Sequence, residues 1–563
     1  MQLLNTKIKN QTTLKEKNKK LYTLFFKRLL KDKIKIILIG VLMFFTALLY
    51  VAIPFILKEG IQKLYFIQTF HYVLIAGVVF IILYAVLSIL KEKLVVSYSL
   101  TFIADLKKDL FKGVLRKTIN KFQFIGGGNI LAFLSYNVSL IRSLIEDWGA
   151  VFIQQMLNFI ALFAASFFID ARLSVLFFIL MPVFVVYAFI IQYIVRNFAL
   201  ELNTLNKNIF QNAYDTLSDF TNLKINIQEE KRLFSFSKLI DKDRDIRIKR
   251  TLIYQYNKVI LHAISLLLIV VFVLIGGQML NMQEMVFSEF IFFVLYIHLL
   301  FRPFEVALQM SSFFEAGKIG IKSVFRFISD NDFSELKNIH FKGGINIENL
   351  TYKNTRSRFR LAKINLDIKA GEKITIIGNS SSGKSQFLQM LLHFRKPQKG
   401  YISFDGLKAE ELGIRTIRKN ISVVSKDYFL GNMTVSNYLS SGDPAKLFKN
   451  QNRLINFCQE LKLLEKIIQI DGKKMQTRLN KEDFRFSETE KIKLALVRAC
   501  MQNNSIVVFD NFWHFFDEET LGEVKAFVKK HFNQKTIIQL STKSDNLLIE
   551  PDRTLNLVNG KFV

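Results

Sequence analysis

The first 301 residues alternate between long apolar runs and polar, basic stretches. The apolar runs cover 36–57, 71–90, 149–169, 173–195, 259–280 and 286–301. Most of them approach the ~20 residues that a helix needs to cross the hydrocarbon core of a bilayer. A single run of this kind could be a buried helix of a soluble protein, but six in succession predict six transmembrane helices.

The pattern changes in the second half of the chain. From about Gly343, short apolar segments alternate with helical and polar stretches, and the segments predicted as strands include 374–377, 421–424, 506–509 and 536–540. This alternation is typical of an α/β domain. The predicted organisation is a basic N-terminal segment (1–35), a six-helix transmembrane domain with two long cytoplasmic loops (36–303), a linker (304–342) and an α/β domain (343–563).

The distribution of charge gives the orientation. Lys and Arg exceed Asp and Glu by 77 to 47, which gives a net charge of +30. The basic residues concentrate in the N-terminal segment and in 91–148 and 196–258, whereas 281–285 contains none. Because basic loops remain in the cytoplasm, both termini and the two long loops are predicted to be cytoplasmic. The chain is thus predicted to be integral to a membrane, the inner (plasma) membrane if the source is bacterial.

The same charge raises the question of partners. Nucleic acid is excluded as a partner because no basic and aromatic recognition motif accompanies the charge, whereas anionic membrane lipid is compatible with it. Three polar residues inside the apolar runs are candidates for a substrate pathway or, alternatively, for helix packing: Gln154, His262 and Glu289. The substrate itself cannot be identified from the apolar runs.

The α/β domain contains a phosphate-binding motif. The predicted strand 373–377 is followed by Gly-Asn-Ser-Ser-Ser-Gly-Lys-Ser at 378–385, which matches G-x-x-x-x-G-K-[ST], and 386–394 is predicted as a helix. Glycines allow the backbone to wrap around phosphates, and the start of the helix offers free N–H groups to an anion. The predicted ATP-binding residues are Gly378, Asn379, Ser380, Ser381, Ser382, Gly383, Lys384, Ser385 and Gln386.

A magnesium ion is predicted to accompany the ATP. Lys384 would reach the β- and γ-phosphates, and the hydroxyl of Ser385 would bind Mg²⁺. A second apolar strand, 506–509, ends at Asp510, which is where a carboxylate that holds the metal is expected. The predicted cofactors are therefore ATP and Mg²⁺, with Ser385 and Asp510 on the metal.

The order of six spans, phosphate loop, signature-like segment and Asp-terminated strand resembles an ABC exporter of the lipid- and peptide-flippase type. Gly371-Glu372, the hairpin 397–406 and Arg498-Ala499 also match this family. The resemblance implies an exporter-type six-helix domain followed by a P-loop nucleotide-binding domain. It also implies a dimer, because each ATP lies between the phosphate loop of one chain and the signature of the other. The partner would be an identical chain or another half-transporter.

Several positions depart from the family pattern. The signature L-S-G-G-Q reads Phe486-Ser487-Glu488-Thr489-Glu490. The adenine-stacking aromatic, the γ-phosphate-sensing glutamine, the catalytic glutamate and the switch histidine are replaced by Asn354, Lys426, Asn511 and Thr542. The nearby Tyr352 is two residues early and is predicted to belong to a strand. No residue of this chain is therefore predicted to be catalytic.

These departures leave two functions open. Because the altered signature and the altered catalytic position are on one chain, both ATP sites of any dimer that contains it would be compromised. The chain could be an exporter subunit that couples ATP to substrate export with impaired hydrolysis. Alternatively, it could be a pseudo-ATPase, a regulatory or structural subunit that binds nucleotide without efficient turnover. The sequence therefore leaves ATPase activity open between these two functions.

Overall fold

A computed structural model of the chain describes residues 19–63, 67–118, 121–122, 125–329, 337, 339–353, 360–425, 433–440, 451–465, 467, 478–479, 486–544 and 547–563. The chain divides into two compact units. The first contains only helices, and the second begins before the first β-strand. Of the predicted site residues, Asn354 and Lys426 lie outside the described part of the chain.

The first unit consists of helices that extend well beyond the apolar runs. They are α1 (19–29), α2 (Lys33–Gln62), α3 (Ile67–Leu115), α4 (Gly127–Ile169), α5 (Ala171–Ser218), α6 (Phe220–Ile225), α7 (Glu229–Asn281) and α8 (Phe287–Ser329). The six apolar runs lie in six different helices, and the last run begins one residue before α8. The extensions are rich in charged residues, so hydropathy marks only the apolar part of each helix. Helix α8 continues through Pro303 to Ser329, so the segment after Pro303 begins as the predicted helical extension of the last long helix.

Four helices in the described part of the chain are long and apolar enough to cross a membrane. They are Lys33–Gln62, His71–Leu115, Gly127–Ile169 and Glu229–Asn281. Their most apolar windows are mostly unburied, which is typical of helices that face lipid. The first unit is therefore a transmembrane helical domain.

We expect a reporter fused after Val563, and a second reporter placed in 91–148, to signal the cytoplasm. A reporter in 281–285 is expected to signal the opposite side, because that segment lacks the basic residues that hold loops in the cytoplasm. The measurement is the ratio of a reporter active only in the cytoplasm to one active only outside it. A cytoplasmic signal from 281–285, or an external one from the C-terminus, would contradict the predicted orientation.

Helix α4 contains two stretches of π-helix, at Phe133–Asn137 and Leu144–Phe152. Helix α8 approaches both of them closely through glycines. A Cβ atom on Gly317 would lie 2.6 Å from Cβ of Leu144, and one on Gly320 would lie 2.8 Å from the carbonyl oxygen of Asn137. These two glycines therefore permit a helix contact that larger residues would prevent.

Polar side chains connect neighbouring helices within the transmembrane unit. The Gln154 amide of α4 donates to Oδ1 of Asn158 at 2.9 Å and accepts from Nζ of Lys91 in α3 at 3.4 Å. The carboxylate of Glu289 in α8 pairs with Lys58 in α2 at 3.1 Å. Because Gln154 and Glu289 both have partners on other helices, these contacts support the helix-packing interpretation of the two residues over the pathway interpretation.

The second unit is an α/β domain with two main sheets. Its strands are β1 (Ile345–Lys353), β2 (Arg360–Ile368), β3 (Lys373–Ile377), β4 (Lys399–Phe404), β5 (Leu407–Lys408), β6 (Ile421–Ser425), β7 (Met433–Thr434), β8 (Arg478–Leu479), β9 (Ile506–Asp510), β10 (Thr536–Ser541), β11 (Arg553–Val558) and β12 (Lys561–Phe562). The four strands predicted from the sequence are confirmed: β3 has the bounds 373–377 predicted with the phosphate-binding motif, and β6, β9 and β10 are each one residue longer than predicted. Tyr352 lies in β1, as predicted.

The helices of this unit complete the α/β pattern. They are α9 (Lys384–Leu391), α10 (Ala409–Leu412), α11 (Ile414–Asn420), α12 (Val435–Leu439), α13 (Gln451–Glu460), α14 (Glu488–Gln502) and α15 (Glu518–Phe532). One sheet has the order β2-β1-β4-β5 and is antiparallel, and the other has the order β12-β11-β3-β10-β9-β6. In the second sheet, β3, β10, β9 and β6 are parallel, so their carboxyl ends meet at one edge. Ligands of open α/β sheets bind at that edge.

Candidate functional site

The phosphate loop connects the end of β3 to the start of α9. Its N–H at Gly378 donates to the carbonyl oxygen of Ser541 at the end of β10, 3.1 Å away. A Cβ atom on Gly378 would clash with Ser382 and lie 2.6 Å from the carbonyl oxygen of Leu557. Gly383 has φ +112°, a conformation that favours glycine. Both glycines of the motif are therefore required by the backbone, and α9 begins two residues earlier than predicted, at Lys384.

The lysine of the motif is buried against the loop. Its Nζ donates to the carbonyl oxygens of Gly378 and, at 3.0 Å, Asn379. Burial lowers the pKa of Lys384, and the nearby carboxylate of Asp510 partly opposes this shift. The ammonium group is thus held among the loop carbonyls, where a phosphate bound by the loop would be within its reach.

The predicted site residues converge on one cavity at the carboxyl edge of the parallel sheet. The cavity has a volume of 510 Å³ and is lined by Ser380, Ser381, Gly383, Lys384, Ser385, Gln386, Ser425, Asp510, Asn511, Phe515 and Thr542. Three different strand ends and the phosphate loop therefore contribute to it. Three other residues of the phosphate loop do not line the cavity: Gly378, Asn379 and Ser382. The predicted positions 511 and 542 both lie in the same cavity as Lys384.

The residues predicted to hold magnesium fit that role. The exposed hydroxyl of Ser385 and the carboxylate of Asp510 line the same cavity. The Ser425 hydroxyl donates to Oδ2 of Asp510 at 3.5 Å and orients it. Magnesium is usually bound through one or two protein groups together with phosphates and waters, so a pair of oxygen ligands is a suitable set.

Two of the replaced positions are hydrogen-bonded to each other. Oδ1 of Asn511 accepts from the backbone N–H of Thr542 at 3.3 Å and from its hydroxyl at 3.4 Å. Asn511 follows β9 and Thr542 follows β10, and these strands are adjacent in the sheet. The backbone of Asn511 is left-handed, with φ +45°, which asparagine accepts more easily than most residues. The amide at this position is therefore directed at the threonine.

The signature segment starts helix α14 with a capping box. The Ser487 hydroxyl accepts from the N–H of Glu490 at 3.2 Å, and the Glu490 carboxylate accepts from the N–H of Ser487 at 2.7 Å. The same hydroxyl lies 2.8 Å from that of Thr489. Glu488 pairs with Lys491 at 2.9 Å, and its side chain remains 68% exposed. Phe486 is buried beneath the segment.

The signature segment and the phosphate loop are separate within one chain. None of the five residues 486–490 lines the cavity that contains Lys384. Tyr352 is also unavailable to a nucleotide, because it is buried in β1 and its hydroxyl accepts a hydrogen bond from Arg395. Within the described strand β1, no aromatic ring is therefore available to stack on a base.

Sequence reasoning missed two residues of the cavity. Ser425 ends β6 and could have been found from the rule that parallel strands present their carboxyl ends at one edge. Phe515 ends a 3₁₀ turn that buries Trp513 and leaves the Phe515 ring 48% exposed. No sequence motif marks Phe515, because the direction of its ring depends on how Trp513 packs.

Comparisons with known proteins agree with this architecture. Residues 36–304 match the family model described as the ABC transporter transmembrane region, and residues 361–513 match the one described as ABC transporter. An uncharacterized ABC transporter ATP-binding protein, YwjA, of Bacillus subtilis is 22% identical over 81% of this chain and 79% of its own length. An ATP-dependent lipid A-core flippase of Pseudomonas fluorescens is 23% identical over 80% of this chain and 76% of its own length.

A solved structure is similar in fold over nearly the whole chain. It is a bacterial Atm1-family ABC exporter with ATP bound, and it superimposes with a TM-score of 0.83 at 16% identity, over 95% of both chains. At this level of identity the likeness concerns the fold. It matches the order observed here, in which a transmembrane helical domain precedes an α/β nucleotide-binding domain.

Proposed function

Because this chain belongs to the ABC transporters, as a half-transporter of the exporter type, we propose that it binds Mg-ATP and pairs with a second half-transporter to move a substrate across the membrane, with impaired hydrolysis. The observation that carries this proposal is the cavity in which an intact phosphate loop faces Asn511 and Thr542. Relatives named lipid A-core flippases support a lipid-like, amphipathic substrate.

The geometry around the phosphate loop supports nucleotide binding. Lys384, Ser385 and Asp510 bring a cation, a hydroxyl and a carboxylate to one cavity. This is the set that P-loop proteins use for the terminal phosphates of ATP and their magnesium ion. The N-terminus of α9 adds backbone N–H groups and a favourable dipole.

The separation of the two half-sites supports a dimer. In the family, the signature of one chain completes the nucleotide site of the other. In this chain, the signature segment starts α14 and does not line the cavity of its own phosphate loop. A second chain, identical or related, would then supply the missing half.

Slow hydrolysis follows from the chemistry of three positions. The amide of Asn511 cannot accept a proton from water near neutral pH, and loss of a general base costs about 10²–10⁴-fold in rate. Thr542 offers no imidazole to the γ-phosphate. Glu488 would bring a negative charge towards the phosphate of the partner site, a repulsion of about 1–4 kcal/mol at 4 Å.

A pseudo-ATPase subunit is the second candidate, and one observation favours it. The Ser487 hydroxyl, which the family uses on the γ-phosphate, is held here in a capping box with Glu490. The hydroxyl of Thr489, 2.8 Å away, would compete with the γ-phosphate for the proton that Ser487 still has to donate, so nucleotide would be held without efficient cleavage. ATPase assays of the chain alone, and with a half-transporter encoded beside it, distinguish the two functions: stimulation of the partner without turnover by this chain favours the pseudo-ATPase.

We expect Mg-ATP to raise the melting temperature of the purified chain, and Lys384→Ala to remove this shift. The lysine is the cation of the phosphate loop, and hydrogen bonds to charged groups contribute about 1.5–3 kcal/mol each. The affinity for ATP should therefore fall at least tenfold. GTP and UTP should stabilise the wild-type chain about as well as ATP, because an aromatic adenine partner is replaced by Asn354.

Lys373→Ala is the matched control for Lys384→Ala. Lys373 begins β3, at the opposite end from the phosphate loop, and its Nζ donates to Asn533 at 2.7 Å. This variant should retain the shift with ATP. If millimolar ATP fails to shift the wild-type chain, the proposal that it binds nucleotide is wrong.

A further inference from the structure

The short helix α1, which precedes the first apolar run, is fixed to the transmembrane unit by one face. Leu21 and Phe25 are buried, and the Phe25 ring packs edge-on against Phe102 and Phe325 with centroids 6.0 and 5.8 Å apart. Arg28 on the same face pairs with an aspartate of α3 at 2.6 Å. The helix therefore has a defined orientation, and the side opposite Leu21 and Phe25 faces away from the transmembrane unit.

The outward side of α1 and the end of α8 form a groove. Its cavity has a volume of 800 Å³, and its main lining residues are Lys19, Tyr22, Phe26, Lys27, Leu30 and Lys322. Tyr22, Phe26 and Lys27 lie three, seven and eight residues after Lys19 and therefore share one side of α1 with it, and Leu30 directly follows the helix. Phe26 is 55% exposed and Leu30 is 50% exposed, although both are large apolar residues. The groove thus combines an apolar floor with lysines along its rim.

The position of the groove along the chain places it at the membrane boundary. Helix α2 begins at Lys33, and the apolar run that enters the bilayer begins at 36. Between 19 and 35 the chain has seven basic residues and a single acidic one, Asp32. The groove therefore lies where lipid headgroups meet the hydrocarbon core, on the side that the basic residues assign to the cytoplasm.

We propose that this groove binds one anionic phospholipid of the cytoplasmic leaflet. The ammonium groups of Lys19, Lys27 and Lys322 would contact its phosphate, and Phe26 and Leu30 would contact an acyl chain. Lysines bury their apolar stems and keep their charge at the interface, which suits this depth. A carboxylate near the groove, Glu315, is already engaged by Lys318 at 2.5 Å, so the groove retains an excess of positive charge.

A lipid fits these features better than a protein partner does. A protein surface that covered Phe26 and Leu30 would have to reach the depth of the headgroups, which lipids already occupy. The charge is also of the sign that the anionic cytoplasmic leaflet attracts. The proposal does not depend on nucleotide binding or hydrolysis, so it can fail or succeed independently of the proposed function.

The test uses the full chain with Phe26→Trp, reconstituted in phosphatidylcholine vesicles. Brominated phosphatidylglycerol or brominated phosphatidylcholine is added at equal mole fraction, and quenching of the new tryptophan reports which lipid occupies the groove. We expect brominated phosphatidylglycerol to quench more strongly. Adding Lys19→Gln and Lys27→Gln should reduce this preference by about fivefold for each lysine.

The matched control is Lys20→Gln with Lys31→Gln in the same Phe26→Trp background. It removes the same charge from the same segment, but neither residue lines the groove. The preference should then change less than twofold. The fluorescence of the native tryptophans, Trp148 and Trp513, is measured in the chain without Phe26→Trp and subtracted. Two results would overturn the proposal. The first is an equal loss of preference in the two double lysine variants, and the second is no preference for phosphatidylglycerol in the chain that carries Phe26→Trp alone.

Discussion

Restoring four positions together should raise the rate of ATP hydrolysis by at least 10²-fold over the wild-type chain. The changes are Asn511→Glu, Thr542→His, Glu488→Gly and Thr489→Gly. Together they would return a general base, a γ-phosphate contact and a signature without bulk or charge. A positioned base alone accounts for about 10²–10⁴-fold in rate.

The gains should be strongly non-additive. Phosphoryl transfer needs the metal, a positioned water and donors around the transferred phosphate at the same moment. Asn511→Glu by itself leaves Glu488 against the partner's phosphate, and it places a residue that is less tolerant of left-handed backbone at φ +45°. Thr542→His by itself removes the hydroxyl that donates to Asn511 and supplies no base. Groups that act as a unit give little when they are restored singly.

The measurement is steady-state phosphate release by the chain in nanodiscs, for the wild type, each single variant and the combined variant. Lys384→Ala added to the combined variant should abolish the gain, which excludes a contaminating ATPase. Wild-type turnover in the range of ~1–10³ s⁻¹ would contradict the proposal of impaired hydrolysis. Single variants whose gains multiply to that of the combined variant would refute the coupling between the positions.

Gly378→Ala is expected to abolish the thermal shift with ATP and also to destabilise the chain without ATP. The added methyl would lie 2.6 Å from the carbonyl oxygen of Leu557, a backbone atom that cannot move aside without disturbing β11. Overpacking of this kind costs about 1–3 kcal/mol. The melting temperature in the absence of nucleotide should consequently fall by several degrees.

Gly522→Ala provides the control for this substitution. Gly522 lies inside helix α15, and a Cβ atom there would meet nothing within 4 Å. Alanine is favoured over glycine in helices by about 1 kcal/mol, so this variant should be equally or more stable and keep the shift with ATP. A Gly378→Ala chain that melts and binds ATP like the wild type would show that the loop tolerates a side chain.

The architecture was predictable because its signals are local. Apolar length identified the six runs, and β-branched strands bounded by polar loops identified β3, β6, β9 and β10. Hydropathy does not show how far the helices extend: α3 continues for more than 20 residues after its apolar run, and α7 begins more than 20 residues before its own. Those extensions are held by packing and charge pairs that hydropathy does not register. The π-helical stretches of α4 likewise have no sequence signal.

The sequence predicts the phosphate-binding motif of the cavity but not the hydrogen bonds between its residues. The spacing of 378–385 identified the loop, whereas the bond between Asn511 and Thr542 joins residues 31 positions apart and needs the adjacency of β9 and β10. The S-x-x-E pattern of Ser487 and Glu490 is also that of a capping box, which matching to the family signature does not reveal. This capping box involves the Ser487 hydroxyl, which the family directs at phosphate.

The wide turns in α4 make it possible to remove a residue there without turning the rest of the helix. A π-helical turn holds about one residue more than an α-helical turn, so deleting one residue from Leu144–Phe152 would restore an ordinary turn and leave the rest of α4 facing the same way. Gln154 and Asn158 would then remain on the buried side of the helix. A deletion within the α-helical stretch Ile153–Ile169 would instead rotate everything that follows it by about 100° around the helix axis.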